Sequence, residues 1–237
     1  MKKKGKGMHC DPKKEAAKGA LELIKEFISN YEIIGLGTGS TTQAFIMESK
    51  ELLKNKKLIS SSNSTSLFLS SLGLETKEFP LLNSNYIYID GADEVTKQGY
   101  MIKGRGGALL GEKILAYSSS LNIFVVSEEK LVNKLGEKRP VPIEVIPKAY
   151  PYLLNIFKRN NLRSELRQCN AKDGPIISDW GGYIIDVYTG PMDDPRYYDN
   201  MLRSFPGVVE TGIFMGLSDY IVIGKESCGY DVIRIKR

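Results

Sequence analysis

The chain has 237 residues, 42% of them hydrophobic, and a net charge of +5, which suits one large core or two small ones and makes a weak case for nucleic acid. Part of that charge sits in Lys2, Lys3, Lys4 and Lys6, a run that reads as a solvated, disordered tail, while the lysines spread through the rest suit an anionic small substrate. The only histidine, His9, lies in the tail, so Ser-His-Asp, Cys-His and His-rich metal mechanisms lack an imidazole, and proton transfer falls to carboxylates, lysines or tyrosines.

Asp11 before Pro12 marks a helix start, an N-cap followed by proline at the first helical position. Ala16, Ala17, Ala20, Leu21, Ile24, Phe27 and Ile28 recur behind it at helical spacing. The apolar run Ile33 to Leu36 predicts a strand that enters a Gly/Thr/Ser turn, with a helix over 43–53 after it. Leu58 and Ile59 predict the next strand, which runs into serines, and a helix follows near 67–72. The strand 86–89 ends at Asp90, and a helix near 108–117 precedes a strand over 123–126. Short apolar strands alternating with helices imply a doubly wound, mostly parallel, Rossmann-like sheet. In such sheets ligands bind beyond the carboxyl ends of the strands.

After Pro140 the rhythm changes to strand 141–145, helix 150–160, strands near 165–167 and 183–187, helix 196–204 and strand 208–213. This is the split β-α-β order of a smaller ferredoxin-like α+β domain. Residues 220–223 predict a strand that returns to the first sheet. The expected division is 1–138 with 214–237 as the Rossmann-like domain and 139–213 as the ferredoxin-like one.

The polar clusters fall at the strand ends. Gly35-Leu36-Gly37-Thr38-Gly39-Ser40-Thr41-Thr42 joins strand to helix, where glycines bring backbone N–H groups close to an anion such as phosphate and hydroxyls add donors; a tight turn with Ser/Thr caps is about as good an account. Ser40 stands where GxGxxG needs its third glycine, which argues against a dinucleotide. Asp90-Gly91-Ala92-Asp93-Glu94 places carboxylates where the sheet opens, with an Asx-capped turn as the plainer reading. A divalent metal ranks below a sugar hydroxyl network there. In Lys103-Gly104-Arg105-Gly106-Gly107-Ala108-Leu109-Leu110-Gly111-Glu112-Lys113 the glycines mean close backbone approach and the cations favour an anion. Glu112 has Ala108, Leu109, Leu115 and Ala116 around it at helical spacing, which predicts a desolvated carboxylate with a raised pKa, usable as a base. An internal ion pair through Lys113 is the competing account of this helix. Lys130 follows the strand 123–126 and its Ser127-Glu128-Glu129 loop, at another strand's carboxyl end.

Taken in order, GTGSTT at 37–42, SSSNST at 60–65, DGADEV at 90–95 and KGRGGALLGEK at 103–113 resemble type A ribose-5-phosphate isomerase. The likeness extends to PVPIEVIP at 140–147 and PGVVETGIF at 206–214. Many members carry glycine where this chain has Arg105. The resemblance implies a cofactor-free, metal-free isomerase of the non-oxidative pentose phosphate pathway, with a small sugar phosphate as its partner. It implies Glu112 as the catalytic base and Thr38, Gly39, Ser40 and Thr41 as one substrate loop. Asp90, Gly91, Ala92, Asp93, Lys103, Gly104, Arg105, Gly106 and Lys130 contact substrate by the same likeness, with Lys13 helping phosphate.

An aldose-to-ketose shift moves a proton between adjacent carbons, so one carboxylate serves both. Lys103 and its glycine loop then stabilise the enediolate oxygen, and Asp90 and Asp93 handle hydroxyl protons. Two rival readings come from other classes: a phosphosugar-sensing module like repressor effector domains, which would carry a DNA-binding helix pair upstream, and a coenzyme A transferase relative, whose chains are usually longer. Cys10, Cys169 and Cys228 are far apart and odd in number, which predicts no disulfide and a reducing, cytoplasmic setting. No apolar run approaches membrane-spanning length. The family likeness also implies a homo-oligomer, dimer or tetramer.

Overall fold

The structure, a computed structural model, describes residues 9–77, 85–171 and 173–235; the lysine tail lies outside them. Asp11 caps α1 (Pro12–Lys25), its carboxylate accepting from Lys13 N. The apolar stripe Ala16, Ala17, Ala20, Leu23 and Ile24 is buried. β1 (Ile33–Leu36) leads into α2 (Ser40–Glu48) and a single turn, α3 (Lys50–Leu53). One helix over 43–53 was expected. It begins three residues earlier and breaks at Ser49, whose hydroxyl donates to Phe45 O at 2.6 Å, a back-bond that bends helices.

β2 (Lys57–Ser60) is followed by α4 (Asn63–Ser71), which starts ahead of the expected residue 67 because Ser62 caps it, accepting from Thr65 N. Then come β3 (Tyr86–Asp90), the two-residue strands β4 (Glu94–Val95) and β5 (Met101–Ile102), α5 (Leu109–Ser118) and β6 (Leu121–Ser127). The next stretch holds β7 (Val141–Val145), α6 (Tyr150–Arg159), β8 (Arg163–Leu166), β9 (Tyr183–Tyr188), α7 (Pro195–Arg203) and β10 (Val208–Thr211). The chain closes with β11 (Ile213–Phe214), β12 (Tyr220–Gly224) and β13 (Tyr230–Arg234).

The main sheet runs β13-β12-β6-β3-β1-β2, parallel except where β13 turns back on β12. Its inner strands β1, β3, β6 and β12 are apolar on both sides because both faces are covered. Ile34, Leu36, Ile87, Ile89, Ile123, Val125 and Val222 pack under α1 and α2. Tyr86, Tyr88, Phe124, Val126, Ile221 and Ile223 pack with Leu115 and Ala116 of α5. The same period of two places Asp90 on the side of Tyr86 and Tyr88, facing α5. The second sheet, β10-β7-β9-β8, is antiparallel with the ferredoxin-like strand order. A third, β11-β5-β4, links the two; two-residue strands carry no sequence pattern, and it was not anticipated.

Cys10 and Cys228 are joined by a disulfide, with Cα atoms 5.0 Å apart and a separation of 218 in sequence. This corrects the expectation of no disulfide. The sheet order places the β12–β13 turn beside the start of α1, where Cys10 N donates to Glu226 O at 3.0 Å, and sequence spacing alone does not show that neighbourhood. The cysteine argument for a reducing compartment goes with it. No described helix is long and apolar enough to cross a membrane.

Candidate active site

Three parallel strands deliver the site from their carboxyl ends: β1 gives way to Gly37 and Thr38, β3 ends at Asp90, and β6 leads to the short turn 128–130. They meet at a cavity of about 280 Å³, at the small end of ligand cavities. Thr38, Gly39, Ser40 and Thr41 form one wall, Gly91, Ala92 and Asp93 the second, Lys103, Gly104, Arg105 and Gly106 the third, and Lys13, Lys130 and Glu129 the fourth, with Glu112 facing in from α5. Every residue that the family likeness assigned to the substrate is therefore here except Asp90, which stands fully buried just beneath.

Asp90 is saturated. Its Oδ1 accepts from Thr38 N at 3.0 Å, Gly91 N at 2.7 Å and Thr42 Oγ1 at 3.4 Å, and its Oδ2 accepts from Tyr88 OH at 2.5 Å. The same Oδ2 lies 2.7 Å from Lys103 Nζ. Gly37 makes room for it, since a Cβ there would fall 1.8 Å from Asp90 Cγ. Lys103 follows β5, and its backbone N–H bonds Gly212 O at 2.9 Å. Its ammonium donates to Gly91 O at 2.6 Å and lies 5.6 Å and 5.9 Å from the rings of Phe214 and Phe124. Burial works against its charge, but Asp90 and Glu112 outweigh that, and its pKa is raised.

Glu112 sits in the first turn of α5 with Leu109, Leu115 and Ala116 buried around it. Its Oε2 is 3.3 Å from Lys103 Nζ yet, buried, has no hydrogen-bond partner. Burial pushes its pKa up to about 8 against the pull of Lys103, with Asp90 and Asp93 adding to the rise. Lys113, next in sequence, points the other way, donating to Glu210 Oε1 at 2.9 Å and Thr211 O at 2.7 Å. The helix thus carries both a desolvated carboxyl, in Glu112, and an internal ion pair, in Lys113.

On the wall formed by Thr38 to Thr41, α2 has Gly39 as its N-cap residue, φ +115°, with no side-chain cap, so the N–H groups of its first turn are open to an anion. Thr38 Oγ1 donates to Ser62 Oγ at 2.7 Å and lies 3.0 Å from Ser61 Oγ; these serines of the SSSNST segment fix the loop and were not assigned to the site beforehand. Tyr88 was also missed, because a tyrosine in an apolar strand reads as packing. So was Glu129, a loop acid within ion-pair reach of Lys130 at 3.3 Å.

Fold and site together define an α/β protein with a polar cavity at the carboxyl ends of its parallel strands, lined by a buried carboxylate beside a buried lysine and by the uncapped start of α2. Residues 57–228 match the family described as Ribose 5-phosphate isomerase A (phosphoriboisomerase A). The chain is 46% identical to the ribose-5-phosphate isomerase A of Aeropyrum pernix over 94% of its own length and 95% of the relative's, and 40% identical to that of Thermococcus kodakarensis over 90% and 93%. Among solved structures it resembles a D-ribose-5-phosphate isomerase in complex with phospho-erythronic acid, with a TM-score of 0.84, 36% identity, and 94% and 97% of the two chains covered. It also resembles ribose 5-phosphate isomerase from Plasmodium falciparum, with a TM-score of 0.83, 32% identity, and 95% and 100% covered. The chain belongs to the ribose 5-phosphate isomerase A family and is an isomerase. The sensing-module reading is not favoured, since these relatives are named as enzymes.

Proposed function

We propose that the chain interconverts D-ribose 5-phosphate and D-ribulose 5-phosphate through an enediolate, with Glu112 as the base. The observation that carries this is Glu112 Oε2, a buried carboxylate oxygen without a hydrogen-bond partner beside an ammonium. The base takes the proton from C2 of the open-chain aldose, the C–H electron pair moves towards the C1 carbonyl, and the same carboxyl returns the proton to C1 as the ketose forms. Lys103 faces the oxygen on which charge develops, an effect of about 3 kcal/mol for a well-placed donor. Asp93, which lines the cavity, handles the hydroxyl protons. Asp90, with both oxygens occupied, holds Lys103 in place. The phosphate lies over the start of α2 between Lys13 and Lys130, and its binding energy orients the reacting end. Phospho-erythronic acid fits the same cavity in chemical terms, its carboxylate standing for the charged enediolate.

Glu112→Gln keeps the size of the side chain and removes the basic oxygen. Isomerisation is expected to fall at least ~100-fold, and exchange of the C2 hydrogen with deuterated water to fall with it, while phospho-erythronic acid still binds. A folded variant that exchanges that hydrogen at the wild-type rate removes Glu112 from the role of base.

A further inference from the structure

Arg167 stands outside the cavity, just after β8, yet its guanidinium reaches the catalytic loop. Nε donates to Asp186 Oδ2 at 2.8 Å and Nη2 to Asp186 Oδ1, while Nη1 donates to Gly104 O at 2.9 Å and to Arg105 O at 2.8 Å. Asp186 lies on β9 opposite Glu165 of β8, so both members of the pair are carried by the antiparallel sheet, and the loop they grip belongs to the other half of the site. Arg105 is itself bound on its far side, its N–H donating to Asp93 Oδ2 at 2.9 Å. Gly104, at φ +104°, closes a turn by accepting from Gly107 N at 3.0 Å.

In a planar trans peptide the C=O and the next N–H point in opposite directions. The carbonyl of Arg105 is turned outward to Arg167, and the N–H of Gly106 in the same peptide is therefore turned inward, to the cavity that Gly106 lines. A guanidinium can be held at two points by a carboxylate and still give two N–H groups to adjacent carbonyls, four bonds where a lysine has only three donors and no fork. From this we infer that Arg167, oriented by Asp186, is a positioning residue for the isomerisation: it sets the peptide plane that aims Gly106 N–H at the developing enediolate. The inference rests on the reading of the site given above.

The test uses the full-length enzyme and four variants, with kcat, KM and the affinity for phospho-erythronic acid as readouts. Arg167→Met is expected to lower kcat about 10- to 100-fold, less than outright loss of an oxyanion donor, with KM changing less than about threefold and analogue affinity falling in step with kcat/KM. Arg167→Lys keeps the charge and should not restore either value. Asp186→Asn leaves the arginine but loosens its hold, and should fall between. Arg139→Met removes a charge from the groove shared with Arg167 and Asp186 without touching the loop carbonyls, and should leave kcat unchanged. The inference is overturned by wild-type kcat and analogue affinity in a folded Arg167→Met, by equal losses in Arg139→Met, or by full rescue with lysine. If Arg167→Met does not fold, Asp186→Asn decides: unchanged kcat and analogue affinity overturn the inference, and an intermediate loss of both supports it. Failure of phospho-erythronic acid to compete with ribose 5-phosphate in the wild-type enzyme would instead overturn the reading of the cavity.

Discussion

Glu112 and Lys103 lie 3.3 Å apart and are both buried, yet burial serves them differently. The lysine keeps its charge because two carboxylates surround it; the glutamate, sharing that lysine with Asp90, is left under-solvated as an anion and holds its proton to about pH 8. The proposed proton transfer needs the ionised form, so kcat/KM of the free enzyme should rise with pH to a plateau above about 8, where an unperturbed glutamate would give one above about 4.5. A flat profile between pH 5 and 9 would contradict the burial argument. The same shift bears on stability. Between pH 4.5 and about 8 the unfolded chain has lost the proton that the folded chain keeps. This group's stabilisation is therefore complete below 4.5 and lost as pH rises through about 8. The burial of Glu112 was legible in KGRGGALLGEK because its apolar neighbours follow from helical spacing. Arg167 was not, since a guanidinium that acts on carbonyls more than sixty residues away leaves no local pattern.

At the level of elements, the turn between β1 and α2 shows why a glycine is needed where no unusual backbone angle demands one. Gly37 lies against the side chain of Asp90, and a methyl group there meets Cγ at 1.8 Å and Oδ1 at 1.9 Å. Asp90 cannot retreat without giving up Thr38 N, Gly91 N, Tyr88 and Lys103 together. Gly37→Ala should therefore destabilise the fold by 1–3 kcal/mol, the usual cost of overpacking, and lower kcat as Lys103 loses its partner; wild-type kcat and unfolding midpoint would show that the turn gives way freely. Strands with a period of two and both faces apolar were readable from the sequence, as was the β-α-β-β-α-β order of the second sheet. The break at Ser49 and the strands β4, β5 and β11 were not, because the first depends on one hydroxyl and the others on backbone pairing in stretches too short to show a period.

For the molecule as a whole, the disulfide ties the start of α1 to the β12–β13 turn across 218 residues. Closing so long a loop restricts the unfolded chain, an effect of about 2–5 kcal/mol in the chain-entropy account. Reduction should accordingly lower the thermal unfolding midpoint, and a Cys10→Ser, Cys228→Ser double variant should match the reduced enzyme and ignore reductant. Identical midpoints with and without reductant would show that the bond carries no stability. The pairing escaped the sequence because proximity of the two ends is a product of sheet order, not of spacing.

That sheet order also governs when the enzyme becomes complete. Lys13, Thr38, Asp90, Lys103, Glu112 and Lys130 have all been synthesised by residue 130, yet β6, which leads to Lys130, pairs on one side with β12, and α1, which carries Lys13, packs against the same strand, Gly224 lying directly on Pro12 and Ala16. Until residues 220–234 emerge, β6 has a bare edge with unpaired backbone groups and α1 lacks the part of its floor that β12 supplies. A nascent chain thus holds the residues that line the cavity long before β12 and β13 are there to frame it.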